Sequence, residues 1–79
     1  MDETRRFIFD LVRECRLNIG HALPDKPLQL RLATASPVIK NNIVECLTNL
    51  VDEGIFEPRE GQNDVLVLTE HGFHVIYGA

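Results

Sequence analysis

Basic residues are scarce in the last third of this chain. From residue 55 to residue 79 Arg59 alone stands against Glu57, Glu60, Asp64 and Glu70, a balance of −3 within a net charge of −4 over 79 residues. Proteins that bind nucleic acid draw most of their non-specific affinity from Lys and Arg set against phosphates, so this segment is poorly equipped for that work. Long apolar runs are missing as well. None approaches the roughly 18 residues of a membrane span, and the opening MDETRR, with its two acids, does not resemble a secretion signal. The expected location is therefore cytoplasmic, with no membrane partner. Cysteine is limited to Cys15 and Cys46, placed among apolar helical positions rather than as a close pair. Buried free thiols are expected in preference to a disulfide.

Catalytic parts are lacking too. There is no Gly-rich phosphate loop, no nucleophile motif and no pair of carboxylates beside a His in a recognisable spacing. A chain this small also has difficulty building a preorganised pocket. We expect no enzyme and no cofactor. His21 stands alone in a loop. His71 and His74 lie three apart with only Glu70 beside them, too few ligands for zinc, so no metal site is expected.

What is present is an ordinary globular composition, 44% hydrophobic and 25% charged. The length suits one domain, residues 1–79, with one core. Such a domain buries only about 60% of its unfolded surface, so pairing with a second copy as a homodimer is a natural aid to stability.

Two segments carry clear helical periodicity. Over residues 3–19 the apolar Phe7, Ile8, Leu11, Val12, Cys15 and Ile19 share one side, with Gly20 as the stop. Arg5, Arg6, Arg13 and Arg16 share the polar side, the only concentrated basic sector in the chain. Asp10 is spaced to pair with Arg6 and Arg13. That sector reads either as a solvated face laced with ion pairs or as a surface for an anion or a partner. The second helix, 36–53, is the clearest. Ser36 can cap it, Pro37 suits its first position and Gly54 ends it, while Ile39, Ile43, Cys46, Leu47 and Leu50 form one buried face. Asn41, Glu45, Thr48 and Asp52 lie opposite, with Lys40 at the flank.

Between these helices, residues 19–27 hold two Pro and a Gly and read as a loop. Residues 28–34 stay open: Leu28, Leu30 and Leu32 alternate as in a strand, while their place before helix 36–53 favours a helix. Residues 55–69 read as a hairpin. Its strands are Ile55–Pro58 and Val65–Leu68, joined by the turn formers REGQND. In the tail, Phe73, Val75 and Tyr77 alternate as in a strand, so 70–77 is open between strand and helix. Its apolar residues are candidates for a dimer seam.

The pattern Leu47-x-x-Leu50-Val51-x-x-Gly54-Ile55, a charged turn, then Leu68-Thr69-x-x-Gly72, resembles the winged helix-turn-helix of MarR-type and PadR-type bacterial transcriptional regulators. The match covers roughly residues 36–72. It implies an α+β fold: a small winged helix with three helices, a helix-turn-helix and a C-terminal β-hairpin wing. It also implies a short last helix capped by Thr69. By the same resemblance the chain is a DNA-binding regulator that inserts helix 36–53 in the major groove of double-stranded DNA. The contacts would fall to Ser36 at a phosphate, Asn41 at an adenine edge, Lys40 at guanine or phosphate, and Arg59 at the wing tip, helped by Gln62 and Asn63. Winged helices also serve as protein-binding modules. The acidic wing fits that alternative, in which the domain binds another protein or itself and no DNA.

Overall fold

The computed structural model describes residues 2–78, apart from the side chain of Asn63. Among these residues the chain forms four helices and one two-stranded antiparallel hairpin, in the order α1, α2, α3, β1, β2, α4. The α+β class holds. The sequence reading counts three helices, and the fourth comes from the tail.

Helix α1, Glu3–Glu14, begins where the Asp2 carboxylate accepts the Thr4 N–H at 2.9 Å. It stops well short of Ile19. Arg16 turns left-handed at φ 53°, and Leu17 N–H closes on Val12 O at 3.1 Å, a C-terminal cap of the Schellman kind. The cap swings Leu17 inward to 8% exposure and leaves Ile19, expected in the core, 48% exposed. The buried side of α1 is also wider than the apolar stripe, taking in Thr4 and Phe9, because the helix packs against both α3 and α4.

Residues 20–23 are not a free loop. Gly20 N–H donates to Leu68 O at 2.8 Å, Leu68 N–H to His21 O at 3.0 Å and Leu23 N–H to Leu66 O at 2.7 Å, so this segment pairs with the outer edge of β2. Helix α2, Asp25–Ala33, then starts inside the segment read as loop. Pro27 is compatible with it because the first turn has no N–H to lose. The strand alternative for residues 28–34 falls with it: only Leu28 of α2 is buried, and Leu30 is 66% exposed.

Helix α3, Pro37–Asp52, matches its expected span. Ser36 Oγ accepts the Ile39 N–H, Pro37 opens the helix, and Gly54 at φ 79° closes it while Ile55 N–H reaches Leu50 O at 2.9 Å. Ile39, Ile43, Cys46 and Leu50 are buried as their spacing requires. The hairpin pairs β1, Phe56–Arg59, with β2, Gln62–Leu68. Its turn is only Glu60-Gly61, tighter than the six polar residues implied, because Gly61 at φ 81° reverses the chain in place. The register slips between Pro58 and Arg59, beside the residue that has no N–H to give.

Helix α4, Glu70–Tyr77, is seated by a tight polar joint. Thr69 Oγ1 donates to the carbonyls of Gly54 and Ile55 and accepts Gly72 N–H at 2.9 Å. Gly72 lies so close to the Ile55 carbonyl that a Cβ there would overlap its oxygen. The far end of α4 docks on α1: Arg13 Nη2 donates to Ile76 O at 2.9 Å, and Tyr77 Oη donates to Leu17 O at 2.8 Å. The tail is thus spent largely on its own chain, with Ile76 buried and Val75 44% exposed.

The core gathers Ile8, Leu11 and Val12 of α1, Leu50 of α3, Ile55 and Phe56 at the hairpin start, and Leu68, none more than 2% exposed. Both cysteines are free, Cys46 buried and Cys15 half-buried. No helix among the described residues is long and apolar enough to cross a membrane.

Candidate functional site

The outward side of α3 and the hairpin beside it form the face on which the sequence candidates lie. Ser36 is half-buried, and its hydroxyl is committed locally: besides capping α3 it donates to Glu3 Oε1 at 3.3 Å. Lys40 and Asn41 are exposed on the first turns of α3. Arg59 is exposed at the end of β1, where its Nη1 donates to Gln62 Oε1 at 3.5 Å. The Asn63 side chain, named as a helper of Arg59, lies outside the described structure. Ser36, Lys40 and Asn41 therefore share one helix end, while Arg59 belongs to the last position of β1, beside the hairpin turn.

Two of the four arginines of the basic sector, Arg5 and Arg13, are occupied. Arg5 meets Glu53 through two hydrogen bonds of 2.6 and 2.9 Å and lies over the Phe9 ring at 5.8 Å. The Arg5 hydrogen bond holds the Glu53 carboxyl below its ordinary pKa, and the same contact raises that of Arg5. Arg13 pairs with Asp10 at 3.1 Å as well as with the Ile76 carbonyl. Arg31 of α2 pairs with Glu14 of α1. Arg6 and Arg16 make no ion pair among the described residues. Within the sector Arg5 and Arg13 are struts from α1 to the end of α3 and to α4, whereas Arg6 and Arg16 stand exposed.

The sequence reading missed the apolar side of this face. Val44 is 74% exposed and Val38 53% exposed, both on α3. Strand alternation explains what Val44 looks across at. Phe56 and Leu68 are register partners and fill the core, so Pro58 and Leu66, the next pair on that side, face the same way. The hairpin outruns the core, however, and past Phe56 nothing fills the space between it and α3. A groove of about 330 Å³ results, lined by Val44, Leu47, Thr48 and Val51 on α3 and by Pro58 and Leu66 on the hairpin. Asp52 and Asp64 also line it, and no Lys or Arg does. A smaller-mouthed hollow of about 310 Å³ lies on the other side of Leu47 and Leu66, toward Leu23 and Leu28 of α2. The signal was available: Val44 sits among Asn41, Thr48 and Asp52 on the side opposite the buried residues, where an apolar side chain has no core to join.

No protein-family model, curated protein or solved structure matches this chain. No group of three or more His, Cys, Asp or Glu able to hold a metal ion occurs among the described residues.

Proposed function

We propose that this chain is a winged-helix interaction module that binds another protein through the face formed by α3 and the hairpin. Several features support the winged-helix reading. Helices α2 and α3 are joined by the three residues Thr34 to Ser36, as in a helix-turn-helix. The hairpin follows α3 directly, and the strand-like segment around Ala22 lies along β2. The Leu68-Thr69-x-x-Gly72 element joins the hairpin to a last helix through Thr69 and Gly72, so each residue of that pattern has a physical task.

One observation carries the choice of partner: the groove between α3 and the hairpin is apolar and edged by carboxylates. A DNA-reading surface needs cations at its phosphate contacts. Here Glu45, Asp52, Glu57, Glu60 and Asp64 are all exposed on these elements, against Lys40 and Arg59. Site-specific photo-crosslinking from position 48, inside the groove, tests the reading. Adducts with protein are expected, and adducts with nucleic acid overturn it.

A second reading, a transcriptional regulator with α3 in the major groove, is favoured by one feature. The first turns of α3 present Lys40 and Asn41 to solvent behind the Ser36 cap, the place from which a recognition helix reads bases. Fluorescence anisotropy with a labelled duplex at low salt decides it. Duplex binding that strengthens as salt falls and is lost in Lys40→Ala with Arg59→Ala supports DNA; no binding removes it.

A further inference from the structure

We propose that the α3–hairpin groove takes an apolar side chain flanked by Lys or Arg from a segment of another protein, inserted side chain first. This deepens the function proposed above and rests on it.

A helix side and a sheet side that face each other normally close on shared side chains, because about 25 cal/mol follows each Å² of apolar surface removed from water. Here Leu66 and Val51 are only half-buried, and Val44 stands in solvent. The volume of about 330 Å³ is at the lower end of the roughly 300–1,000 Å³ of ligand pockets, enough for one or two anchor side chains. Strand addition is a poor alternative. The free edge of the hairpin is β1, four residues long with Pro58 inside it, and Pro offers no N–H to an added strand. The other edge of β2 is already paired at Leu66 and Leu68 by residues 20–23.

Charge then selects the flanks of the anchor. Asp52 and Asp64 stand on opposite walls of the groove, Asp52 from the end of α3 and Asp64 from β2. Both are exposed, and neither makes an ion pair among the described residues. Glu57, on the other side of β1, and Glu60, in the turn, are outside the groove and only raise the acid excess of the hairpin. An apolar anchor with basic neighbours meets an apolar floor and two unpaired carboxylates. An acidic segment meets repulsion from both walls.

A phage-displayed library of random twelve-residue peptides, selected on the wild-type protein, tests this, with Val44→Asp and Thr48→Lys as counter-selections. Both positions are exposed, and unchanged circular dichroism and melting establish that the variants fold. The expected result is a consensus with one or two large apolar residues beside Lys or Arg. Its synthetic peptide binds wild type and loses about tenfold or more in affinity on either variant. Asp52→Asn and Asp64→Asn each weaken it by about two- to fivefold, less as salt rises. No enrichment, a consensus without basic residues, or binding kept by Val44→Asp overturns the proposal. A wild-type dimer in sedimentation that dissociates in Val44→Asp also overturns it, by assigning the groove to a second copy. Photo-crosslinks to protein at position 48 without such a consensus would leave the function standing and remove only this account of its chemistry. Crosslinks to nucleic acid would remove both.

Discussion

At the scale of single residues, the joint between α3 and α4 is the most demanding place in the molecule. Thr69 supplies one hydroxyl to three tasks: it caps α4 at Gly72 N–H and donates toward the Gly54 and Ile55 carbonyls. Thr69→Ser keeps the oxygen and is expected to fold normally. Thr69→Val removes it and should cost about 1–2 kcal/mol in chemical denaturation. Gly72 is needed for close approach, not for an unusual φ. A Cβ there would meet Ile55 O and also lie 2.9 Å from Ile55 C and 3.0 Å from Leu68 Cδ1. Backbone cannot step aside as a flexible side chain can. Gly72→Ala is therefore expected to lose about 3 kcal/mol, the upper end for overpacking, although Ala is the better helix former.

The Arg5–Glu53 pair gives a pH prediction at the same scale. Glu53 has its folded-state pKa lowered, chiefly by the hydrogen bond from Arg5. Its contribution is thus present above the unfolded-state carboxylate pKa and is lost as pH falls through the lowered folded value. Urea midpoints of wild type and Glu53→Gln should differ at neutral pH, with wild type the more stable, and converge in acid below the folded pKa. Equal separation at all pH values would show that the pair contributes nothing through charge. Because both side chains reach solvent, the difference should also shrink in high salt.

Among the elements, α3 carries both the core and the candidate site, on opposite sides. Leu50 is fully buried in the core, and Leu50→Ala should destabilise by about 2–5 kcal/mol. Val44, on the outer side, should behave in the opposite way: Val44→Asp is expected to change stability by no more than about 0.5 kcal/mol while removing binding at the groove. That contrast separates folding from function within one helix, and thermal melting with a binding titration measures both. Helix α2 is weaker by construction. It buries Leu28 alone and is tied down by Arg31 to Glu14. Hydrogen exchange is expected to show α2 opening before α3.

For the whole molecule, size sets the constraint. A chain of 79 residues has only one core, and here Arg5, Arg13 and Arg31 are spent on struts across that core's rim. The acid excess is left on the hairpin and the outer side of α3. Burial also affects chemistry in the interior: desolvation pushes the Cys46 thiol up from its ordinary pKa. In a Cys15→Ser background, Cys46 should react with a disulfide reagent only as fast as the protein opens, and at once in denaturant.

Helix α3, its caps and its buried side follow from local pattern alone, because a long run of regular spacing with Ser36, Pro37 and Gly54 at its ends has one helical solution. The hairpin and the shortage of cations around it follow likewise. Tertiary structure decided the rest. It ended α1 at Arg16 rather than Gly20, since Leu17, not Ile19, could reach the core. It drew residues 20–23 onto β2 and began α2 at Asp25, choices that short segments cannot settle from local preference. For the tail it settled between the strand that alternation allows and the Thr69-capped helix that the resemblance implies, in favour of the helix, because Gly72 fits against the Ile55 carbonyl and Tyr77 reaches α1. The Arg sector of α1 was legible as a cluster, but its partners Glu53 and the Ile76 carbonyl were not, being distant in the chain. The groove was least legible of all. It exists because the hairpin extends beyond the core that Phe56 and Leu68 fill, and that mismatch of lengths appears only when strand and helix are placed side by side.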